Sequence, residues 1–123
     1  STALSPVSMA ADLEGLRLIM EQPERVQKLQ ENIRFCCAAL NARGIDAASE
    51  TAIIPIIIGD EARAMRVMKL LKERGYYISA IRYPTVAKGS ARLRLALMSS
   101  HTREDLEGLA DALKESMELS ENE

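Results

Sequence analysis

The sequence predicts an α/β (α+β) domain: a small sheet of about three strands, antiparallel or mixed, with helices packed against it and a long kinked helix in front. Three observations predict this. Apolar residues recur at spacings of three and four in three separate stretches, which marks amphipathic helices. Three short strand-like runs, "TAIIPIIIGD", "YYISAIR" and "ARLRLALM", lie between them. About eight residues separate the second run from the third, short enough for an antiparallel return.

The elements follow in order. Pro6 suits the first turn of a helix, because its missing N–H leaves no bond unmade there. Met9, Leu13, Leu16 and Met20 then form one stripe, and Pro23 kinks or restarts the helix. Val26, Leu29, Ile33, Cys36, Cys37 and Leu40 continue it, with Glu24, Arg25, Lys28 and Glu31 on the polar face. Gly44 is a C-terminal stop. Residues 1–44 therefore read as a linking helix or helix pair, and 45–123 as a small α/β domain.

The continuous apolar run of "TAIIPIIIGD" predicts a strand buried on both faces. Pro55 cannot donate to a ladder, so the strand belongs at a covered edge. Asp60 is an N-cap for a helix over 61–74, whose stripe is Ala64, Val67, Met68 and Leu71. Thr102 caps the last helix, with Asp105 as its capping-box partner. Leu106, Leu109, Ala110, Leu113 and Met117 form the inward stripe of that helix, and "LSENE" is a polar tail.

Composition narrows the function. The chain has 123 residues, 47% of them hydrophobic, and a formal net charge of -2. That balance gives no argument for nucleic-acid or membrane binding. No apolar run reaches membrane-spanning length. Cys36 and Cys37 are helical neighbours that point about 100° apart and do not bridge, consistent with a reduced cytoplasmic protein. One His and no cysteine spacing pattern argue against a metal site. The chain begins at Ser1 without a Met and reads as a fragment of something larger.

No nucleophile–base pair is visible. His101 reads as a cap or packing residue at the start of the last helix. Lys28, Lys69, Lys72 and Lys114 fall on or beside polar helix faces, and Lys88 is in a loop. None reads as a desolvated Schiff-base lysine. The arginines remain. Arg92 and Arg94 share one strand face, opposite Leu93 and Leu95, and Arg82 precedes the loop that leads to them. This is either a solvated strand face or a site where guanidinium grips a carboxylate.

The stretch "IRYPTVAKGSARLRLALMSSHT" (residues 81–102) resembles a signature of the α-oxoamine synthases, I-R-P-P-T-V-P-x-G-x-A/S-R-L/I-R followed by A-H-T. "STALSP" is similar to the family's F/Y-S-T-S/A-x-P-P, and "IIPIIIGD" to its x-I-x-P-L/I-I-V-G-D. The three matches run in order over almost the whole chain. The family comprises fold-type I enzymes that use pyridoxal 5'-phosphate (PLP), among them 8-amino-7-oxononanoate synthase, glycine C-acetyltransferase, 5-aminolevulinate synthase and serine palmitoyltransferase.

The resemblance implies the C-terminal small domain of a PLP-dependent acyl-CoA:amino acid C-acyltransferase. It implies a decarboxylating condensation, with PLP as electron sink, between a small amino acid and an acyl-CoA, and it implies a homodimer. It places the PLP lysine upstream of Ser1, so the fragment carries no catalytic residue and is inactive alone. Arg94 matches the arginine that grips the substrate α-carboxylate, and Arg92 one with a secondary or structural role. Pro84 and Thr85 match the loop at the active-site mouth. Arg82 matches an arginine that contacts the acyl chain or a carboxylate. Ser1 and Thr2 match hydroxyls that reach the partner subunit's PLP phosphate. Tyr83 and Ala87 stand where the family more often has Pro. "Y-P" points to glycine C-acetyltransferase or aminolevulinate synthase, and "A-I-R" to oxononanoate synthase in biotin biosynthesis. Two other readings stand beside this one: a stand-alone carboxylate- or protein-binding domain, and a related fold-type I aminotransferase or decarboxylase.

Overall fold

A computed structural model describes residues 23–121. The order is α1 (Pro23–Ala42), β1 (Ile53–Gly59), α2 (Glu61–Glu73), β2 (Ser79–Ile81), β3 (Ala91–Ala96) and α3 (Arg103–Glu121). The part of the expected linking helix or helix pair that precedes Pro23 lies outside the described residues.

The strands form one sheet in the order β1-β3-β2, antiparallel throughout. Buried residues of all three helices form a single core with the buried face of the sheet. Leu40, Ile54, Ile56, Leu71, Leu93, Leu95, Leu106 and Leu113 are its fully buried large side chains. At roughly 1.5–3 kcal/mol for each such side chain, this aliphatic core is the main stabilising term.

Local chemistry sets the boundaries. Pro23 occupies the first turn of α1. α1 and α2 close in the same way: Ile45 N–H donates to the Leu40 carbonyl (3.0 Å) and Tyr76 N–H to the Leu71 carbonyl (2.9 Å). The apolar residue after each glycine thus folds back onto the helix end. Asp60 caps α2, its Oδ2 accepting from Arg63 N–H at 2.8 Å. In α3, Thr102 N–H donates to Asp105 Oδ2 (2.9 Å) and Asp105 N–H to Thr102 Oγ1 (3.1 Å), so the capping box is complete.

Three expectations are corrected. β1 is buried on one face only: Ile54 and Ile56 are inside, while Ile53, Pro55 and Ile57 are exposed. The helices cover a single face of the sheet, so the unbroken isoleucine run misleads. β2 is shorter than "YYISAIR", because residues 76–78 turn back to close α2 before pairing begins. Lys28 does not sit on a purely solvated face: its ammonium donates to Asn32 Oδ1 at 2.9 Å. Pro55 does lie on an edge strand, as expected.

No helix among the described residues is long and apolar enough to cross a membrane.

Candidate functional site

β3 is the central strand, and alternation along it decides what each side chain meets. Ala91, Leu93 and Leu95 face the helices; Arg94 is exposed on the open face and Arg92 is half-buried there. Arg94 lies between Pro55 of β1 and Ser79 of β2. Arg92 lies between Ile57 and Ile81, and its Nε donates to the Ser90 carbonyl at 3.2 Å. Arg92 therefore closes the end of its own loop. Arg94 makes no hydrogen bond or ion pair with another described residue.

Above Ser79 the chain leaves β3, and an opening remains between this sheet edge and the start of α3. It is a cleft of about 490 Å³ whose walls include Tyr76, Ser79, Arg94, His101, Asp105 and Leu106. The Thr102 backbone N–H first, and then its hydroxyl, hold the Asp105 carboxyl below its ordinary value. The Asp105 carboxylate is thus engaged in capping α3, while the Arg94 guanidinium is left with five donors for a ligand.

His101 is fixed at two points. Its Nδ1 accepts from Met98 N–H at 3.0 Å. Its carbonyl accepts from Asn32 Nδ2 at 3.1 Å and from Lys28 Nζ at 3.3 Å. Asn32 Nδ2 also reaches the Met98 carbonyl at 2.9 Å. Sequence reasoning missed Asn32. The available signal was its place beside Ile33 and one turn before Cys36, inside an apolar stripe.

The other candidates stand elsewhere. Arg82, Pro84 and Thr85 are exposed in the loop after β2, at the opposite end of that strand from the cleft. Thr85 N–H donates to the Arg82 carbonyl at 3.0 Å, and the Tyr83–Pro84 bond is cis. Lys88 sits over the Tyr83 ring, 5.1 Å from its centroid. Neither Arg82 nor Thr85 lines the cleft. Ser1 and Thr2 lie outside the described residues.

The residues lining the cleft include Arg94 but no lysine with which to hold PLP. Lys28 is hydrogen-bonded to Asn32, Lys114 lies 3.9 Å from Glu118, and Lys69 and Lys72 are exposed on α2. Among the described residues, no group of three or more His, Cys, Asp or Glu could hold a metal ion.

Comparisons with known proteins agree with the fold. The chain is 45% identical over 121 residues to a biotin biosynthesis bifunctional protein of Corynebacterium kroppenstedtii, covering 95% of this chain and 17% of that protein. It is 42% identical over 118 residues to a putative 8-amino-7-oxononanoate synthase of Desulforudis audaxviator, covering 96% and 31%. Among solved structures, the 8-amino-7-oxononanoate synthase of Francisella tularensis superposes with a TM-score of 0.72 at 26% identity, covering 96% of this chain and 35% of that one. The chain thus spans about a third or less of the length of each. Residues 1–113 match the family described as aminotransferase class I and II. The chain belongs to that family.

Proposed function

We propose that the chain is the C-terminal part of a PLP-dependent acyl-CoA:amino acid C-acyltransferase of the 8-amino-7-oxononanoate synthase kind, and that Arg94 binds the amino acid's carboxylate. The observation that carries this is Arg94, which lines a cleft of about 490 Å³ and makes no hydrogen bond or ion pair with another described residue. Guanidinium binds carboxylate through two parallel N–H···O bonds, which fixes orientation as well as charge. Relatives at 42–45% identity that bear oxononanoate-synthase and biotin-biosynthesis names support the reaction class.

In this reading the whole protein is a cytoplasmic homodimer. Its upstream part supplies the PLP lysine, and Ser1 and Thr2 lie near the partner subunit's cofactor phosphate. PLP, when bound, supplies an electron sink for the carbanion formed at the amino acid's α-carbon. This chain's own residues hold and orient the substrate. Arg94 fixes the carboxylate, which sets the angle at which the α-carbon bonds are presented. Residues 1–44 act as the linking helix and 45–123 as the small domain. The family resemblance assigns Arg82 and Thr85 to the mouth through which an acyl chain enters; both are exposed on the loop at the far end of β2 from the cleft. One observation favours glycine C-acetyltransferase as a second reading: Tyr83 stands before Pro84 and is 53% exposed on that loop.

The test uses the full-length protein. Arg94→Ala is expected to raise KM for the amino acid about 10- to 100-fold, the worth of hydrogen bonds to a charged group. PLP absorbance should be retained, and Arg94→Lys should restore part of the loss. An unchanged KM in Arg94→Ala overturns the assignment.

A further inference from the structure

The cleft beside Arg94 contains a second polar side chain whose orientation is over-determined. His101 Nδ1 is occupied as the acceptor for Met98 N–H at 3.0 Å. A ring nitrogen that accepts carries no proton, so the neutral imidazole keeps its proton on Nε2. Nε2 has no partner among the described residues, and His101 lines the same cleft as Arg94. The turn that carries His101 is clamped from α1. Asn32, 2% exposed, gives both amide hydrogens to the turn, to the carbonyls of Met98 (2.9 Å) and His101 (3.1 Å). Lys28 Nζ joins Asn32 Oδ1 (2.9 Å) to the His101 carbonyl (3.3 Å). An apolar side chain at position 32 would bury at less cost. A fully satisfied Asn there gives a defined turn instead.

We infer that His101 is a second ligand-binding donor of this cleft, presented by Asn32 and Lys28 so that its Nε2–H shares an anionic ligand with Arg94. The inference rests on the carboxylate reading of the cleft. Asp105, the acidic side chain among its walls, already spends an oxygen on Thr102 N–H and leaves the donors to the ligand. The anion is a carboxylate of either the amino acid or a carboxylate-bearing acyl chain. Asn32 is a positioning residue and does not touch the ligand.

Binding of L-alanine, L-alaninamide and adipate to the full-length protein separates the outcomes. His101→Asn keeps an acceptor near the Nδ1 position but loses the distant donor. It should melt like the wild type and bind the carboxylate ligand about three- to tenfold more weakly, with L-alaninamide unchanged. His101→Gln keeps a distant donor and loses the near acceptor. It should melt lower yet bind better than His101→Asn. Weakening of L-alanine assigns the pair to the amino acid, and weakening of adipate to the acyl end; either supports the inference. Unchanged binding of both carboxylates, or equal weakening of L-alanine and L-alaninamide, overturns it. Arg94→Lys separates the two levels. If that variant weakens the carboxylate and His101→Asn does not, the His101 inference alone fails. If neither does, the carboxylate reading of the cleft fails with it. Should His101→Asn not fold, Asn32→Leu must reproduce the selective loss, and its absence overturns the inference.

Discussion

Pro55 lies directly opposite Arg94 in the β1–β3 ladder, at a pair that exchanges no backbone hydrogen bonds. The parity follows from one bond: Leu97 N–H donates to the Ala52 carbonyl at 2.8 Å. Hydrogen-bonded pairs therefore recur at 54/95 and 56/93, and Pro55/Arg94 falls between them. The missing N–H of Pro55 points to the open edge, where it removes nothing from the ladder. Arg94 turns its own backbone groups toward Ser79 of β2. Side chains lie closer at a non-hydrogen-bonded pair, so the Pro55 ring flanks the Arg94 stem.

Proline at the neighbouring position should behave differently. Pro55→Ala is expected to change unfolding free energy in urea by about 1 kcal/mol or less, since no ladder bond depends on it. Ile54→Pro removes a ladder donor and truncates a fully buried side chain. It should cost roughly 3 kcal/mol or more. Equal losses in the two variants would mean the parity is wrong.

Asp105 provides a test of the α3 cap. Its carboxyl lies below the ordinary 3.8 because it accepts from Thr102. A depressed folded value means that stability is present above the unfolded value and is lost as pH falls through the folded one. Thr102→Val removes the hydroxyl contribution. In an NMR titration the Asp105 carboxyl should then move up toward 3.8, while the Thr102 N–H bond keeps part of the depression. A wild-type titration at or above 3.8 would count against the capping box.

Much of this arrangement was readable from the residues, and what was not has physical causes. Pro55 identified the edge strand because a missing donor has few places in a sheet. The arginine face of β3 followed from alternation with Leu93 and Leu95. Alternation is invisible in Ile56-Ile57-Ile58, where every residue is apolar, so the open face of β1 needed three dimensions. Asn32, Ser116 and Ser120 are buried, yet each is a polar type that periodicity assigns to water. Asn32 is inside because two carbonyls distant in sequence await its amide. Ser120 is inside because it accepts from Arg63 Nε (3.0 Å) and donates to the Met117 carbonyl (2.7 Å). The cleft itself depends on where residues 76–78 depart from β3, which no local pattern encodes.

Cys36 should be inert in the native state. Burial, with the adjacent Cys37 adding to it, pushes its thiol from 9.0 up to about 11. A thiol is neutral when protonated, so a raised folded value gives stability that is present below pH 9 and lost as pH rises toward about 11. Relative to Cys36→Ala, the wild type should lose stability over that range in urea unfolding. Iodoacetamide at pH 8 should modify Cys36 only at the rate of unfolding. Rapid labelling under native conditions would show that the α1 interface opens locally.

Gly108 and Tyr76 are coupled across the cleft wall. A Cβ built on Gly108 would stand 2.6 Å from the Tyr76 hydroxyl oxygen and 3.9 Å from Cζ. The glycine thus makes room in α3 for one oxygen atom. Gly108→Ala alone sets a helix-propensity gain of about 1 kcal/mol against displacement of a half-buried ring. Tyr76→Phe removes the oxygen, and in that background the methyl meets only ordinary van der Waals contact. The same Gly108→Ala should then stabilise by about 1 kcal/mol, and the two substitutions should be non-additive. A double-mutant cycle in urea measures this. Tyr76 also lines the cleft, so Gly108→Ala alone should alter carboxylate binding, whereas the double variant should restore the wall. An additive cycle would show that the tyrosine hydroxyl does not rest on Gly108.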